Sequence, residues 1–337
     1  MKTASPRYDG LRLEQYDGAH ADDVAELRLA IDQRIDALLA GSGPADQLTR
    51  AMRASALSAG KRMRPLLLML VARDLGCTSR ALVDVACAVE LVHAASLILD
   101  DLPCMDDASL RRGKPAIHVQ FGEDVAILAS VALLSRAFGV LSQAQDIQPA
   151  TRARLVATLA QTVGEQGLVR GQFEDLHGGA RSPEAIATTN ELKTGLLLGV
   201  AVDMAAIICH ASEEVAQQLR AFALAAGQAF QIKDDFLDGK DSAVTGKDSG
   251  KDVGKATLIN TLGRDEARRR LAACLLEADR CLGAAVGANG RTRLFVSQLF
   301  AREGKARRFA PELAKARESR ESRDARHGAQ LAELRLS

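Results

Sequence analysis

The run from Ala81 to Leu99 is apolar except for Asp84, Glu90, His93 and Ser96, and it passes straight into DDLPCMDD, residues 100–107. That junction constrains the fold more than any other feature. A stretch so long and so apolar reads as a helix enclosed on all sides. Its three ionisable residues make it too polar for a membrane span, so it belongs in a protein core. Whatever encloses it also encloses the approach to a dense patch of negative charge.

A second run has the same form. AFALAAGQAFQI (221–232) leads into KDDFLDG, with Asp234, Asp235 and Asp238. Asp234 and Asp238 stand at i and i+4 and share a helical face. Two carboxylates on one face repel each other, and a divalent cation relieves that repulsion. Hard oxygen ligands suit Mg²⁺, which joins one or two carboxylates to a substrate phosphate.

In the first cluster, Asp100 and Asp106 would stand about 240° apart on an ideal helix. Pro103 lacks an N–H and disfavours helix before it. A bulge at Pro103-Cys104 is expected to swing Asp106 back toward Asp100. Without those two residues the spacing becomes DDxxD, as in the second cluster. Two aspartate-rich ends of apolar helices point to a facing pair around one cavity.

Cations flank both clusters. Arg111 and Arg112 follow the first, and GKRMRP brings Lys61, Arg62 and Arg64 ahead of it. Lys193-Thr194 lie in a helix, and Lys247, Lys251 and Lys255 follow the second cluster. Mg²⁺ with Arg and Lys is how proteins hold diphosphates. The loop GKDSAVTGKDSGKDVGK does not fit a P-loop.

Composition narrows the partners. The 337 residues carry a net charge of +1, only 3% aromatics and no Trp, so no nucleic-acid partner is expected. Six cysteines without CxxC spacing read as reduced thiols in a cytoplasmic protein. The polar N-terminus has no secretory core. The expected organisation is a tail over 1–22, one all-α domain over 23–300 and a charged tail over 301–337. Helices are expected near 22–39, 45–59, 65–73, 80–101, 117–143, 148–177, 183–210, 212–238 and 256–286, with a polar loop at 103–116.

The ordered motifs carry a likeness. GKRMRP, ELVHAASLILDDLPCMDDASLRRGKP, GQFEDL, KTG, GQAFQIKDDFLDG and TGKDSGKDVGKATL resemble those of the trans-isoprenyl diphosphate synthases, the head-to-tail prenyltransferases. The resemblance covers roughly residues 30–300. It is strongest to the bacterial geranylgeranyl diphosphate synthases of carotenoid-type pathways. It implies the isoprenoid synthase fold, with helices around a deep central cavity, and a homodimer.

The resemblance also implies roles. Asp100, Asp106 and Asp234 match Mg²⁺ ligands, with three ions per site. Asp101, Asp235 and Lys193 join them as catalytic residues. Lys61, Arg64, His93 and Arg112 match the site for isopentenyl diphosphate. Arg111, Lys193, Thr194, Gln231, Lys247 and Lys255 match the site for the allylic diphosphate. His93 alone would read as a core histidine, but it lies two turns before Asp100 on the same face.

The implied reaction condenses isopentenyl diphosphate with dimethylallyl, geranyl or farnesyl diphosphate. The allylic diphosphate ionises, the cation is attacked by the second double bond, and the released diphosphate takes the proton. Ala95 and Ser96 stand roughly 6–7.5 Å below Asp100 along the helix. Both are small, which favours a C20 product, with C15 second. A terpene cyclase or head-to-head synthase has no need of GKRMRP and Arg112. A non-catalytic regulatory subunit is expected to lose an aspartate motif, and both are present.

Overall fold

The computed structural model describes residues 18–41, 45–177, 195–237, 259 and 263–300. The chain divides into two compact units, 1–293 and 294–337, and the second is described only over 294–300.

The elements in order are α1 (Gly18–Leu39), α2 (Gln47–Ala56), α3 (Met63–Asp74), α4 (Leu82–Asp100), a hairpin of β1 (Leu110–Arg111) and β2 (Lys114–Pro115), and α5 (Ile117–Phe121). There follow α6 (Glu123–Gln143), α7 (Pro149–Val163), α8 (Leu168–His177), α9 (Leu196–Ile208), α10 (Glu213–Leu237), α11 (Arg264–Val286) and α12 (Arg291–Phe300). The class is all-α, as expected.

Local chemistry explains most boundaries. Asp46 caps α2, accepting the Thr49 N–H at 2.7 Å. Gly122, at φ +93°, separates α5 from α6 within the span 117–143 expected to be helical. The expected helix over 45–59 stops at Ala56. The expected loop at 103–116 contains the short hairpin instead. α12 has no counterpart in the sequence reading because its cap is tertiary. Asp74, at the end of α3, accepts the backbone N–H of Arg291 at 3.0 Å and of Thr292 at 2.9 Å.

α4 is the hub, with α1, α2, α3, α6 and α9 packed around it. From Val85 to Val92 every residue is buried, so this stretch is enclosed on all sides. Each enclosed Val, Leu or Ile contributes roughly 1.5–3 kcal/mol by leaving water. Further along, His93, Ser96, Leu97 and Asp100 stay partly accessible. Their spacing of i, i+3, i+4, i+7 is one stripe of the helix, so a groove runs along α4 up to the aspartates.

Glu90 is the one acidic residue inside the enclosed stretch. It is 3% exposed and accepts from Arg62, itself 4% exposed, at 2.8 Å. Arg62 also donates to Asp32 of α1 at 2.7 Å. It adopts a left-handed conformation, φ +49°, as the cap residue before α3. Burial alone would lower its pKa, but Glu90 and Asp32 outweigh that and raise it. One guanidinium thus joins α1, α3 and α4.

α9 meets α10 backbone to backbone. A Cβ at Gly227 would stand 2.9 Å from the Cα of Gly195, so only glycine permits the approach. This contact brings the start of α9 beside α10 one turn before Gln231.

Arg62→Met is expected to lower stability by about 3 kcal/mol or more, because it leaves Glu90 buried and unpaired. Arg62→Met/Glu90→Leu is expected to recover more than half of the loss. Urea unfolding midpoints measure both, and an unchanged midpoint for the single variant would refute the joint.

Candidate active site

The aspartate loop closes on itself. The Asp106 N–H donates to the Asp100 carbonyl at 2.9 Å, and the Ala108 N–H donates to the Asp101 carbonyl at 3.1 Å. Met105 and Asp107 both donate to the Leu102 carbonyl, at 2.9 and 3.0 Å. Asp107 completes the loop at φ +49°. The backbone after Pro103 therefore folds back one turn, and residues six apart in sequence become neighbours.

Arg111 and Arg112 are aimed by the hairpin. Leu110 pairs with Pro115 and Arg111 with Lys114, leaving Arg112-Gly113 as a two-residue connection. Both have positive φ, 55° and 76°, the requirement of a type I′ turn. The two arginines consequently leave the hairpin in different directions. Arg111 grips Asp101, with Nε 2.9 Å from Oδ1. Asp101 is buried, and Asp100 and Asp106 also attract this guanidinium. Burial opposes its charge, yet these carboxylates hold the Arg111 pKa above its usual value.

Arg112 crosses to the other motif. Its Nη1 donates to Ser58 Oγ at 3.1 Å. A Cβ on Gly60 would meet that nitrogen at 2.6 Å, so the glycine of GKRMRP is a seat for Arg112. Arg28 donates to the Gly60 carbonyl at 2.6 Å and holds the seat in place. Lys61 is exposed, Arg62 turns inward to Glu90, and Arg64 turns toward α4.

Arg64 Nη1 lies 3.4 Å from His93 Nε2. Burial, and then the cations Arg64, Arg112, Arg111 and Arg62, depress the His93 pKa well below the usual value. The ring is neutral, so Arg64 donates and Nε2 accepts. Burial also lowers the Arg64 pKa; Glu90 and Asp234 oppose the shift and Arg112 adds to it. Burial likewise lowers that of Arg112, with Arg62 and Arg111 adding to it and Glu90 opposing. Arg64 Nε is buried and has no hydrogen-bond partner among the described residues. Positive charge is thus held in a desolvated place short of anions, which is the electrostatic form of an anion site.

The second cluster reaches the same place. Asp234 is near enough to Arg64 to affect its charge. One turn earlier, Gln231 Nε2 donates to Asp235 Oδ1 at 3.3 Å. Ser96 is partly accessible on the face of Asp100, whereas Ala95 is 0% exposed and its carbonyl accepts from Ser130 of α6 at 3.0 Å. Lys193, Thr194, Asp238, Lys247 and Lys255 lie outside the described residues. Sequence reasoning missed Ser58, Gly60 and Glu90 as supports. A carboxylate in the middle of an apolar helix was the available signal for Glu90.

Among the described residues, no three carboxylate, imidazole or thiol groups converge as a ready-made metal cage. Mg²⁺ needs none, since it keeps several waters and takes one or two carboxylates with substrate phosphate oxygens. Asp100 and Asp106, drawn together by the loop, and Asp234 across the groove fit that donor set.

The polyprenyl synthetase family model matches residues 45–281, a span that includes every motif described above. The chain belongs to the polyprenyl synthetase family. Members of the family carry out prenyl transfer on isopentenyl and allylic diphosphates and generally use Mg²⁺. The chain is 51% identical over 283 residues to a geranylgeranyl diphosphate synthase of Pantoea ananas, covering 82% of this chain and 93% of that one. It is 47% identical to the geranylgeranyl diphosphate synthase of Pseudescherichia vulneris, covering 82% and 91%. It is also similar to the crystal structure of geranyltransferase from Helicobacter pylori complexed with magnesium and isoprenyl diphosphate. There the TM-score is 0.75 at 26% identity, over 85% of this chain and 97% of that one.

His93 carries a pH signature. A folded pKa below the unfolded value of about 6.5 makes its contribution to stability complete above pH 6.5. That contribution falls away as pH drops toward the folded value. His93→Gln is therefore expected to flatten the fall in Tm between about pH 6.5 and 5. Equal slopes for the two proteins would contradict a neutral His93.

Proposed function

We propose that the chain is a geranylgeranyl diphosphate synthase, building a C20 chain head to tail from isopentenyl diphosphate and an allylic primer. The observation that carries this reading is the meeting of Arg64 with His93 at 3.4 Å, beside Asp234, with Arg112 seated on Gly60 and Arg64 Nε buried without a hydrogen-bond partner among the described residues. A diphosphate supplies the missing negative charge and a partner for Arg64 Nε.

In this reading Arg64, Arg112, His93 and exposed Lys61 hold isopentenyl diphosphate. Arg111 faces the allylic diphosphate, oriented by Asp101, and Gln231 joins it, braced by Asp235. Lys193, Thr194, Lys247 and Lys255 complete that second site by resemblance. Asp100, Asp106 and Asp234 hold the Mg²⁺ ions, three per site, whose chemistry is to neutralise charge on the leaving diphosphate. Arg111 and its neighbours stabilise the same developing charge from fixed positions. The bond between the allylic carbon and oxygen breaks, the isopentenyl double bond attacks that carbon, and the released diphosphate takes the proton. The apolar groove along α4 keeps water from the cation.

Ser96 on the accessible stripe leaves depth for a chain longer than C15, whereas Ala95, read from sequence as a second such position, is fully packed against α6. Incubation with isopentenyl diphosphate, dimethylallyl diphosphate and Mg²⁺ is expected to give a C20 alcohol after dephosphorylation. A C15 main product would replace this reading with a farnesyl diphosphate synthase. Ser96→Phe is expected to shift the main product to C15. Ala95→Phe is expected to shorten the product too and to cost roughly 1–3 kcal/mol, since that site is full. Chromatography of the alcohols decides, and an unchanged C20 peak in both variants would sink the chain-length role.

We further propose a homodimer in the cytoplasm, the reducing compartment that six free cysteines suit. α6 is apolar enough to cross a membrane, yet Ile127, Leu128 and Val131 are 45%, 57% and 59% exposed. A second copy on this face would cover them. Leu128→Glu is expected to give a monomer by light scattering; a monomeric parent protein would refute the dimer.

A further inference from the structure

α3 and α9 end alike. Beyond α3, Gly76 adopts φ +79°, and the N–H of Cys77 donates to the Ala72 carbonyl at 2.9 Å. Beyond α9, His210 adopts φ +50°, and the N–H of Ala211 donates to the Ala206 carbonyl at 3.0 Å. Both are the six-to-one closure of a Schellman motif. The two endings meet. The Cys209 thiol donates to the same Ala72 carbonyl at 3.7 Å. Its other neighbour is the Cys77 side chain, which with burial pushes the Cys209 thiol up to about 12. One carbonyl oxygen thus joins two cysteines far apart in sequence.

The pair is reachable from solvent. Cys77 lines a cavity of about 930 Å³ on the far side of α3 from Arg64. Met69, Leu82 and Val286 give that cavity apolar walls, and Arg73, Arg80 and Arg291 outnumber the one lining carboxylate, Asp74. Asp23 binds two of these arginines, at 2.5 Å for Arg73 and 2.7 Å for Arg291. A cavity of this size and lining accommodates a small anionic molecule. Of the other four cysteines, Cys87 and Cys281 are buried, Cys274 is partly buried and Cys104 lies exposed in the aspartate loop.

We propose that Cys77 and Cys209 are a thiol–disulfide modification site, which an anionic low-molecular-weight disulfide oxidises to a bridge between α3 and α9. The Cys77 thiolate attacks one sulfur of the incoming disulfide. That S–S bond breaks, a mixed disulfide forms on Cys77, and the first small thiolate leaves and takes a proton. Cys209, giving up its proton, then attacks the Cys77 sulfur and expels the second small thiol. Two protein thiols are oxidised and one small disulfide is reduced to two thiols. The raised pKa of Cys209 keeps it protonated and unreactive toward external disulfides, so Cys77 reacts first and Cys209 reacts only because the mixed disulfide is held beside it. The bridge would pin α3 and α9 at the ends opposite Arg64 and Gly195. Cytosolic disulfides of this kind are transient and redox-responsive.

Glutathione disulfide is the probe, applied to the native full-length protein, with differential alkylation and peptide mass mapping as the readout. The expected product is a Cys77–Cys209 linked peptide, reversed by dithiothreitol. Tm is expected to rise by roughly 5 °C, because the closed loop is long. In Cys209→Ser, Cys77 is expected to stop at the mixed disulfide; in Cys77→Ser, Cys209 is expected to stay unmodified. A stable mixed disulfide on Cys77 in the parent protein, or modification of Cys104 alone, would overturn the proposal. So would a bridge that lowers Tm.

Discussion

A charge inside the most enclosed helix sets the terms for the rest. Glu90 cannot stay ionised among Val, Leu and Ala without a partner, and Arg62 is that partner. To reach it, Arg62 takes a left-handed backbone at the threshold of α3. That conformation turns Arg62 inward to Glu90, while Lys61 faces solvent and Arg64 reaches His93 of α4. A buried ion pair therefore does more than join helices. It decides which cation of GKRMRP serves the structure and which are left for other contacts.

The same division recurs in the second basic motif. In Arg111-Arg112 the hairpin turn sends one guanidinium to buried Asp101 and the other across to Ser58 and Gly60. Motifs about fifty residues apart thus become one surface. Because Gly60 has no side chain, Arg112 can lie directly on the loop that carries Lys61 and Arg64. Burial then works against the charge of Arg64 and Arg112 while Arg111 keeps its carboxylates. The imbalance leaves Arg64 and Arg112 with less compensating negative charge than Arg111.

Much of this was legible in the residues. The fold-back at Pro103 followed from the missing N–H and from the six-residue spacing, and the Asp106–Asp100 backbone bond has that form. The enclosure of α4 followed from its composition. The hairpin was not legible: two strands of two residues make no alternating pattern, and a positive φ at Arg112 is enforced only by its tertiary contacts. α12 escaped for a similar reason, because its cap is Asp74, more than two hundred residues away in sequence. The meeting of Cys77 and Cys209 left no mark either, since neither spacing nor context relates them.

The sequence by itself determined the helical class, the apolar helix with its terminal carboxylates, and the inventory of cations. Those are properties of local pattern and side-chain chemistry, which the chain carries wherever it goes. Only the tertiary structure decided the assignment of each charge. Whether an arginine binds a carboxylate of its own protein or waits for an anion depends on which groups lie within a few ångströms. That distance is set by helix packing and by three left-handed residues, Arg62, Asp107 and Arg112.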